Sequence, residues 1–277
     1  MSRIIESYQE QLTQVFPLKK QALIHCITNS ITSESVANAI LFMGAKPVMA
    51  SDSREVKDFL KQADALFINL GHLSQEQEKS ILLASDYAGK VLCPIVVDAV
   101  GVGVSSLRRC LVEELLQKEP KIVKGNFSEM RSLCGLATHA RGVDGHMADQ
   151  TTEAIEELRE KFQEMTLGYP KTVFVATGVR DLIVSSQQHL LLQNGVFALD
   201  QVTGTGDIVG GLMAVFLAEG YSAVVSAMFA ISYLNCCGEQ AFTKTKGLYD
   251  FRNDLFNQLA DLQKQRDWYG AIKGEVK

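Results

Sequence analysis

Five short, mostly apolar runs punctuate the first half of this chain: Gln21 to Ile27, Lys46 to Ala50, Ala65 to Leu70, Val91 to Val97 and Lys121 to Lys124. A helix-length segment follows each of them. Runs this short read as strands, and Val91 to Val97 is apolar enough for a sheet covered on both faces. Strand–helix repetition implies parallel strands joined by right-handed crossovers, with helices on both sides. The expected fold class is therefore α/β, a three-layer α/β/α arrangement around a mostly parallel central sheet.

The segments between the runs carry helix signals. Ser33 is placed to cap a helix from Glu34 to Met43, which Gly44 ends. Ser74 and Gln77 form a capping-box pattern opening a helix to about Ala88. Further helices are expected over Arg54 to Gln62, Ser106 to Gln117, Phe127 to Leu133 and Thr151 to Leu167. Thr172 to Ala176 reads as another strand. A hairpin of Asp181 to Ser185 and His189 to Leu192 turns on Ser186-Gln187-Gln188. Helices from about Ala223 to Gly238 and Phe251 to Lys264 close the chain. The segment beyond Gly220 carries no interpretable motif and reads mostly as packing.

Parallel α/β sheets bind ligands beyond the carboxyl ends of their strands, and polar residues gather there in this sequence. Thr28 and Asn29 follow the first strand. Asp98, Gly101 and Gly103 follow the fourth, Lys124, Gly125, Asn126 and Glu129 the fifth, and Thr177, Gly178 and Asp181 the sixth. Each has an ordinary structural reading, such as a turn Asp or Thr, a solvated Lys or a first-turn Glu. Together, two carboxylates and a cation suit nucleotide chemistry with magnesium.

The stretch Val202 to Gly211 reads Val-Thr-Gly-Thr-Gly-Asp-Ile-Val-Gly-Gly, a glycine-rich turn running into an apolar helix. The free N–H groups of such a helix start can cradle a phosphate. Gly204 and Gly206 would let the backbone come close to the ligand. Asp207 at the lip supports two readings equally: a helix-capping residue, or a base that activates an attacking hydroxyl. Neither a Walker-type phosphate loop nor a dinucleotide G-x-G-x-x-G after a strand is present.

Composition narrows the remaining classes. The chain has 277 residues, 47% hydrophobic and 21% charged, with five scattered prolines and no linker-like run, so a single domain over 1–277 is expected. A net charge of −5 gives no electrostatic reason to expect nucleic acid. No apolar run reaches the roughly 18–20 residues needed to span a bilayer, and the polar, mixed-charge start is unlike a signal peptide. Six cysteines without C-x-x-C spacing suit free thiols in a reducing cytoplasm. The five histidines show no metal-ligand spacing.

The Gly-Thr-Gly-Asp segment resembles the anion hole and base of the ribokinase-like superfamily, and other motifs narrow the resemblance to the hydroxyethylthiazole kinase family. They are Ile-Thr-Asn-Ser (27–30), Ala-Asn (37–38), Gly-Ala-Lys-Pro-Val-Met-Ala (44–50), Ile-Asn-Leu-Gly (68–71), Val-Asp-Ala-Val-Gly-Val-Gly (97–103), Lys-Gly-Asn-Phe-Ser-Glu (124–129), Gly-Val-Asp (142–144) and Ala-Thr-Gly-x-x-Asp (176–181). The resemblance implies ATP-dependent, Mg²⁺-assisted phosphorylation of the primary alcohol of 4-methyl-5-(2-hydroxyethyl)thiazole in thiamine biosynthesis or salvage. It implies Asp207 as base, with the 204–207 amides holding the transferring phosphoryl group. Asn29, Met49 and Gly204 would line the thiazole pocket, the methionine sulfur packing on the small ring. Lys124, Thr177 and Gly206 would bind ATP, and Asp98 and Glu129 would organise the metal, largely through water. A homotrimer with the thiazole site shared between neighbours is also implied.

The chain departs from the family pattern in two places. Ala99 stands where the family usually has proline after the Asp98 position, which is expected to loosen that loop. Lys124 stands where arginine is common, giving a point charge in place of a fork. Two rival functions are a ribokinase-like dehydratase of hydrated nicotinamide nucleotides and a non-catalytic thiazole- or nucleotide-binding protein. Relatives of the first kind generally lack the N-terminal motifs.

Overall fold

One nine-stranded sheet runs through the molecule in the order β2-β1-β3-β4-β5-β6-β7-β8-β9. The computed structural model describes residues 3–139 and 145–277; the Gly-Val-Asp segment at 142–144 lies outside them. Strands β1 (Leu23–Ile27), β2 (Lys46–Val48), β3 (Ala65–Asn69), β4 (Ile95–Asp98), β5 (Ile122–Asn126) and β6 (Val173–Thr177) are parallel. Strands β7 (Asp181–Val184), β8 (His189–Leu192) and β9 (Gly274–Val276) extend the sheet in antiparallel fashion.

Alternate residues of each strand feed opposite cores, as the two-residue repeat requires. Ala65 and Phe67 of β3 belong to the core shared with α1 (Arg3–Gln14), α2 (Ser33–Phe42), α8 (Thr205–Ala218), α9 (Ala223–Lys244) and α10 (Leu248–Asp261). Leu66 and Ile68 pack beneath α3 (Val56–Leu60), α4 (Gln75–Val91), α5 (Ser106–Leu116), α6 (Phe127–Leu133) and α7 (Thr152–Gly168). The expected three layers are therefore present.

Several boundaries differ from the sequence reading for identifiable reasons. The apolar run Val91 to Val97 is not all strand. Helix α4 continues to Val91, Leu92 takes the left-handed conformation at φ +57°, and the Cys93 N–H bonds back to the Ala88 carbonyl at 2.9 Å. Only Ile95 to Asp98 forms β4, because an apolar run does not itself distinguish a helix end from a strand. Ser33 does not cap α2; Thr32 holds that position, and its side chain makes no cap bond. Ser74 does accept the Gln77 amide at 3.2 Å. The Gln77 side chain, however, donates to the Thr28 carbonyl at 3.1 Å, so the capping box is only half formed. Neither α1 nor β9 was anticipated. Ile4, Ile5, Tyr8 and Leu12 form one buried stripe on α1, and the helix packs against β9, so each of these elements depends on the other end of the chain.

Helix α8 is buried from Ile208 to Ala218, and it approaches the sheet closely. A Cβ at Gly210 would lie 2.4 Å from Cε2 of Phe67, a ring with no exposed surface. Gly210→Ala is expected to destabilise the protein by about 1–3 kcal/mol through overpacking. Urea unfolding checks this, and an unchanged midpoint would show that the helix can shift without cost.

Candidate active site

The carboxyl ends of β1, β3, β4 and β5 converge on the start of α8. Gly204 precedes that helix at φ +93°, and a Cβ there would meet Thr32 Cγ2 at 2.6 Å. Glycine is thus required both for the left-handed backbone and for the close approach of the two helix starts. The Ile208 N–H bonds to the Gly204 carbonyl at 2.9 Å. The amides of Thr205, Gly206 and Asp207 precede that bond and lie at the positive end of the helix dipole, suited to an anion.

Asp207 does not cap the helix. Its partners are side chains from distant segments: Asn29 Nδ2 donates to Oδ2 at 2.9 Å, the Thr32 hydroxyl donates to the same oxygen, and Asn69 Nδ2 donates to Oδ1 at 3.0 Å. Asn29 is itself fully engaged. Its Oδ1 accepts the Ile31 and Thr32 amides at 3.0 Å each, and its Nδ2 also donates to Asn69 Oδ1 at 3.0 Å. The loop after β1 is thereby folded around the Asp207 carboxylate.

Lys124 is not a solvated strand-end lysine. It is 2% exposed, with Nζ 2.8 Å from Asp98 Oδ2 and donating to the Gly206 carbonyl at 3.2 Å. Its charge therefore sits between β4 and the helix start. Asp98 Oδ2 also accepts from Asn69 at 3.1 Å, whereas the buried Oδ1 has no hydrogen-bond partner among the described residues. Burial pushes the Asp98 carboxyl up to about 6, with Lys124 pulling it down and Asp207 pushing it further up.

Glu129 serves both as a helix-start residue and as a clamp. Asn126 Oδ1 accepts the Glu129 amide and Glu129 Oε2 accepts the Asn126 amide, each at 2.8 Å, forming a reciprocal capping box. Oε1 accepts the Gly101 amide at 2.7 Å, holding the loop after β4. Burial, with Asp98 nearby, pushes this carboxyl up to about 7 against those two amides. The alanine at 99, expected from the sequence to loosen the loop, gives it a backbone bond of its own. The Ala99 N–H, which a proline would lack, donates to the Lys124 carbonyl at 2.7 Å.

Thr177 ends β6 opposite Asn126 of β5, and its hydroxyl donates to the Gly125 carbonyl at 3.3 Å. Met49 follows the edge strand β2, half-buried against the core beneath α2 and α8. Direct contacts thus link Asn29, Asp98, Lys124, Gly206 and Asp207, while Gly204 abuts Thr32. Glu129 joins through the Gly101 loop, and Met49 and Thr177 flank the group by position. Thr32 and Asn69 were given no role by the sequence reading. The available signal was an amide ending the otherwise apolar Ala65 to Asn69 strand. A surface pocket of about 300 Å³ near Glu10, Gln14, Lys19 and Tyr221 lies at the other end of α8, about 18 Å away along the helix.

Among the described residues, no group of three or more His, Cys, Asp or Glu could hold a metal ion. Magnesium does not need such a group, because it keeps several waters and takes one or two carboxylates. The unpartnered Asp98 Oδ1 offers one such ligand, so the donor set fits that ion. Glu129→Gln should weaken the clamp by about 1–3 kcal/mol, since one backbone amide would face an N–H₂ group. It should also raise the magnesium concentration needed for half-maximal rate. A lower melting temperature with unchanged magnesium dependence would leave Glu129 as a loop clamp alone.

Fold and site together define an α/β phosphotransferase, with an amide cradle, a buried cation beside it and a carboxylate facing it. A family model described as the hydroxyethylthiazole kinase family matches residues 16–265. A hydroxyethylthiazole kinase of Enterococcus faecalis is 53% identical over 262 residues, covering 95% of this chain and 96% of that protein. Hydroxyethylthiazole kinase 2 of Streptococcus pneumoniae is 49% identical over 267 residues, covering 96% of this chain and 99% of that protein. The solved structure of a hydroxyethylthiazole kinase protein from Pyrococcus horikoshii matches with a TM-score of 0.82 at 26% identity, covering 99% of this chain and 98% of that one. The chain belongs to the hydroxyethylthiazole kinase family, and its fold is ribokinase-like.

Proposed function

We propose that this protein transfers the γ-phosphoryl group of ATP to the primary alcohol of 4-methyl-5-(2-hydroxyethyl)thiazole, acting as a single kinase domain in thiamine biosynthesis or salvage. The observation that carries this reading is the hydrogen-bonding state of Asp207. A carboxylate oxygen offers two acceptor positions. Asn29 and Thr32 fill both on Oδ2, whereas among the described residues Oδ1 takes only Asn69. An alcohol entering beside the amide cradle therefore finds its proton acceptor at Oδ1.

The remaining residues supply positioning and charge neutralisation, which phosphoryl transfer needs more than covalent help. The amides of residues 204–207 receive the transferring group. Lys124, Thr177 and Gly206 lie where the ATP phosphates would pass, with Lys124 already anchored by Asp98. Asp98 and Glu129 would organise Mg²⁺, largely through water, and the ion when bound would neutralise phosphate charge. Met49, Asn29 and Gly204 border the thiazole pocket, Asn29 by packing, since its polar atoms are committed. Family membership favours this reading over the dehydratase and the non-catalytic binder. We further propose a homotrimer with the thiazole site at the subunit boundary. No helix among the described residues is long and apolar enough to cross a membrane, and a cytoplasmic location is proposed on the free thiols.

A coupled ADP-release assay over thiazole, pyrimidine and pyridoxine alcohols tests the function. ADP release dependent on the thiazole alcohol is the expected result. Release with a hydrated nicotinamide nucleotide and not with the thiazole would overturn it.

A further inference from the structure

We infer that Asn69 is a positioning residue of the phosphoryl-transfer site, holding the Asp207 base in register with the Asp98 side of the site. The inference rests on the kinase reading above. Asn69 closes β3, is 2% exposed and uses every polar position of its side chain. Oδ1 accepts the Gly71 amide at 2.9 Å and Asn29 Nδ2 at 3.0 Å. Nδ2 donates to Asp98 Oδ2 at 3.1 Å and to Asp207 Oδ1 at 3.0 Å.

The orientation of this amide follows from chemistry. Flipped, it would set its N–H₂ against the Gly71 N–H and its oxygen against two carboxylates. One side chain thus donates one hydrogen bond to each of two acidic groups that would otherwise repel. It also occupies one acceptor position on Asp207 Oδ1, which leaves a single direction from which a hydroxyl can approach that oxygen. Asp207 is carried by a helix and Asp98 by a strand, and this amide bonds to both carboxylates, linking the two elements at the site. Asn69 also meets Asn29 at the edge of the thiazole pocket, but Asn29 keeps its bonds to Asp207 and to the Ile31 and Thr32 amides, so loss of Asn69 should slow turnover far more than it weakens substrate binding.

The test compares Asn69→Ala and Asn69→Ser with the wild type. Asn69→Ser adds no charge beside the two carboxylates and keeps a small hydroxyl in the buried space, so it carries the same expectation should the alanine variant fail to fold. The expected result is a kcat lower by roughly 10–100-fold. The KM for the thiazole alcohol and for ATP, and the calorimetric affinity for the thiazole alcohol alone, should stay within about threefold. If Asn69 acts through Asp207, adding its substitution to Asp207→Asn should lower kcat no more than about twofold further. A kcat within twofold of wild type, a rise in KM at unchanged kcat, or a full multiplicative loss in the double variant would each overturn the inference. A wild type that does not phosphorylate the alcohol would fail the functional reading itself. Failure of Asn69 alone is seen against an active wild type.

Discussion

Asp207→Asn is expected to lower kcat by roughly 10²–10⁴-fold, equivalent to about 3–5 kcal/mol of transition-state stabilisation. The side chain stays nearly isosteric, and its amide oxygen can still accept from Asn29 and Thr32. What disappears is the acceptor at Oδ1, where an N–H₂ group would now face both the incoming hydroxyl and Asn69 Nδ2. One donor–donor contact costs about 1–3 kcal/mol, partly offset because a charge that disfavours ionised Asp98 is removed. The fold and the KM values should therefore survive. Steady-state kinetics beside a urea unfolding curve separates the outcomes, and a kcat within tenfold of wild type would remove Asp207 from the role of base.

Lys124→Met is expected to cost about 3–5 kcal/mol of stability near pH 8, because it leaves a buried carboxylate without its counter-charge. The pH dependence has a definite sign. Burial already raises the folded Asp98 carboxyl to about 6, above its ordinary 3.8. A raised acid favours folding below the unfolded value and loses that contribution as pH rises through the folded one. Without Lys124 the folded value moves higher still, so at pH 5.5 Asp98 is protonated and there is little charge left to strand. The penalty should be smaller at pH 5.5 than at pH 8 in urea unfolding. An equal or larger penalty at the lower pH would mean that Lys124 is held by the Gly206 carbonyl and not by Asp98. Nucleotide affinity should fall in the same variant, since the Lys124 charge between β4 and the start of α8 is gone.

Much of the architecture was legible in the chain. Apolar runs that can only be buried on both faces identify parallel strands, and the glycine-rich turn before an apolar helix identifies an anion cradle. Boundaries were less legible where two elements share one chemistry. Val91 belongs to a helix and Val96 to a strand, and hydrophobicity does not separate them. The α1–β9 contact was not legible, because a lone amphipathic stripe and a three-residue strand acquire meaning only against each other. The site showed the same division. Asp98, Lys124, Glu129 and Asp207 stood out because charge at a strand or helix end needs a reason. Thr32 and Asn69 are neutral, and such residues are ordinary in turns and caps.

By itself, the sequence determined the α/β class and, through its N-terminal motifs, the family, and it singled out Gly204 to Asp207 as the candidate phosphate cradle. The local pattern alone left Asp207 balanced between a helix cap and a base. The tertiary structure shows that it makes no cap bond, because its partners come from elsewhere in the chain. Asn29 and Thr32 follow β1, and Asn69 closes β3. Whether a carboxylate is capped, paired or left with an open acceptor depends on which donors folding brings to it, and no local pattern records their arrival.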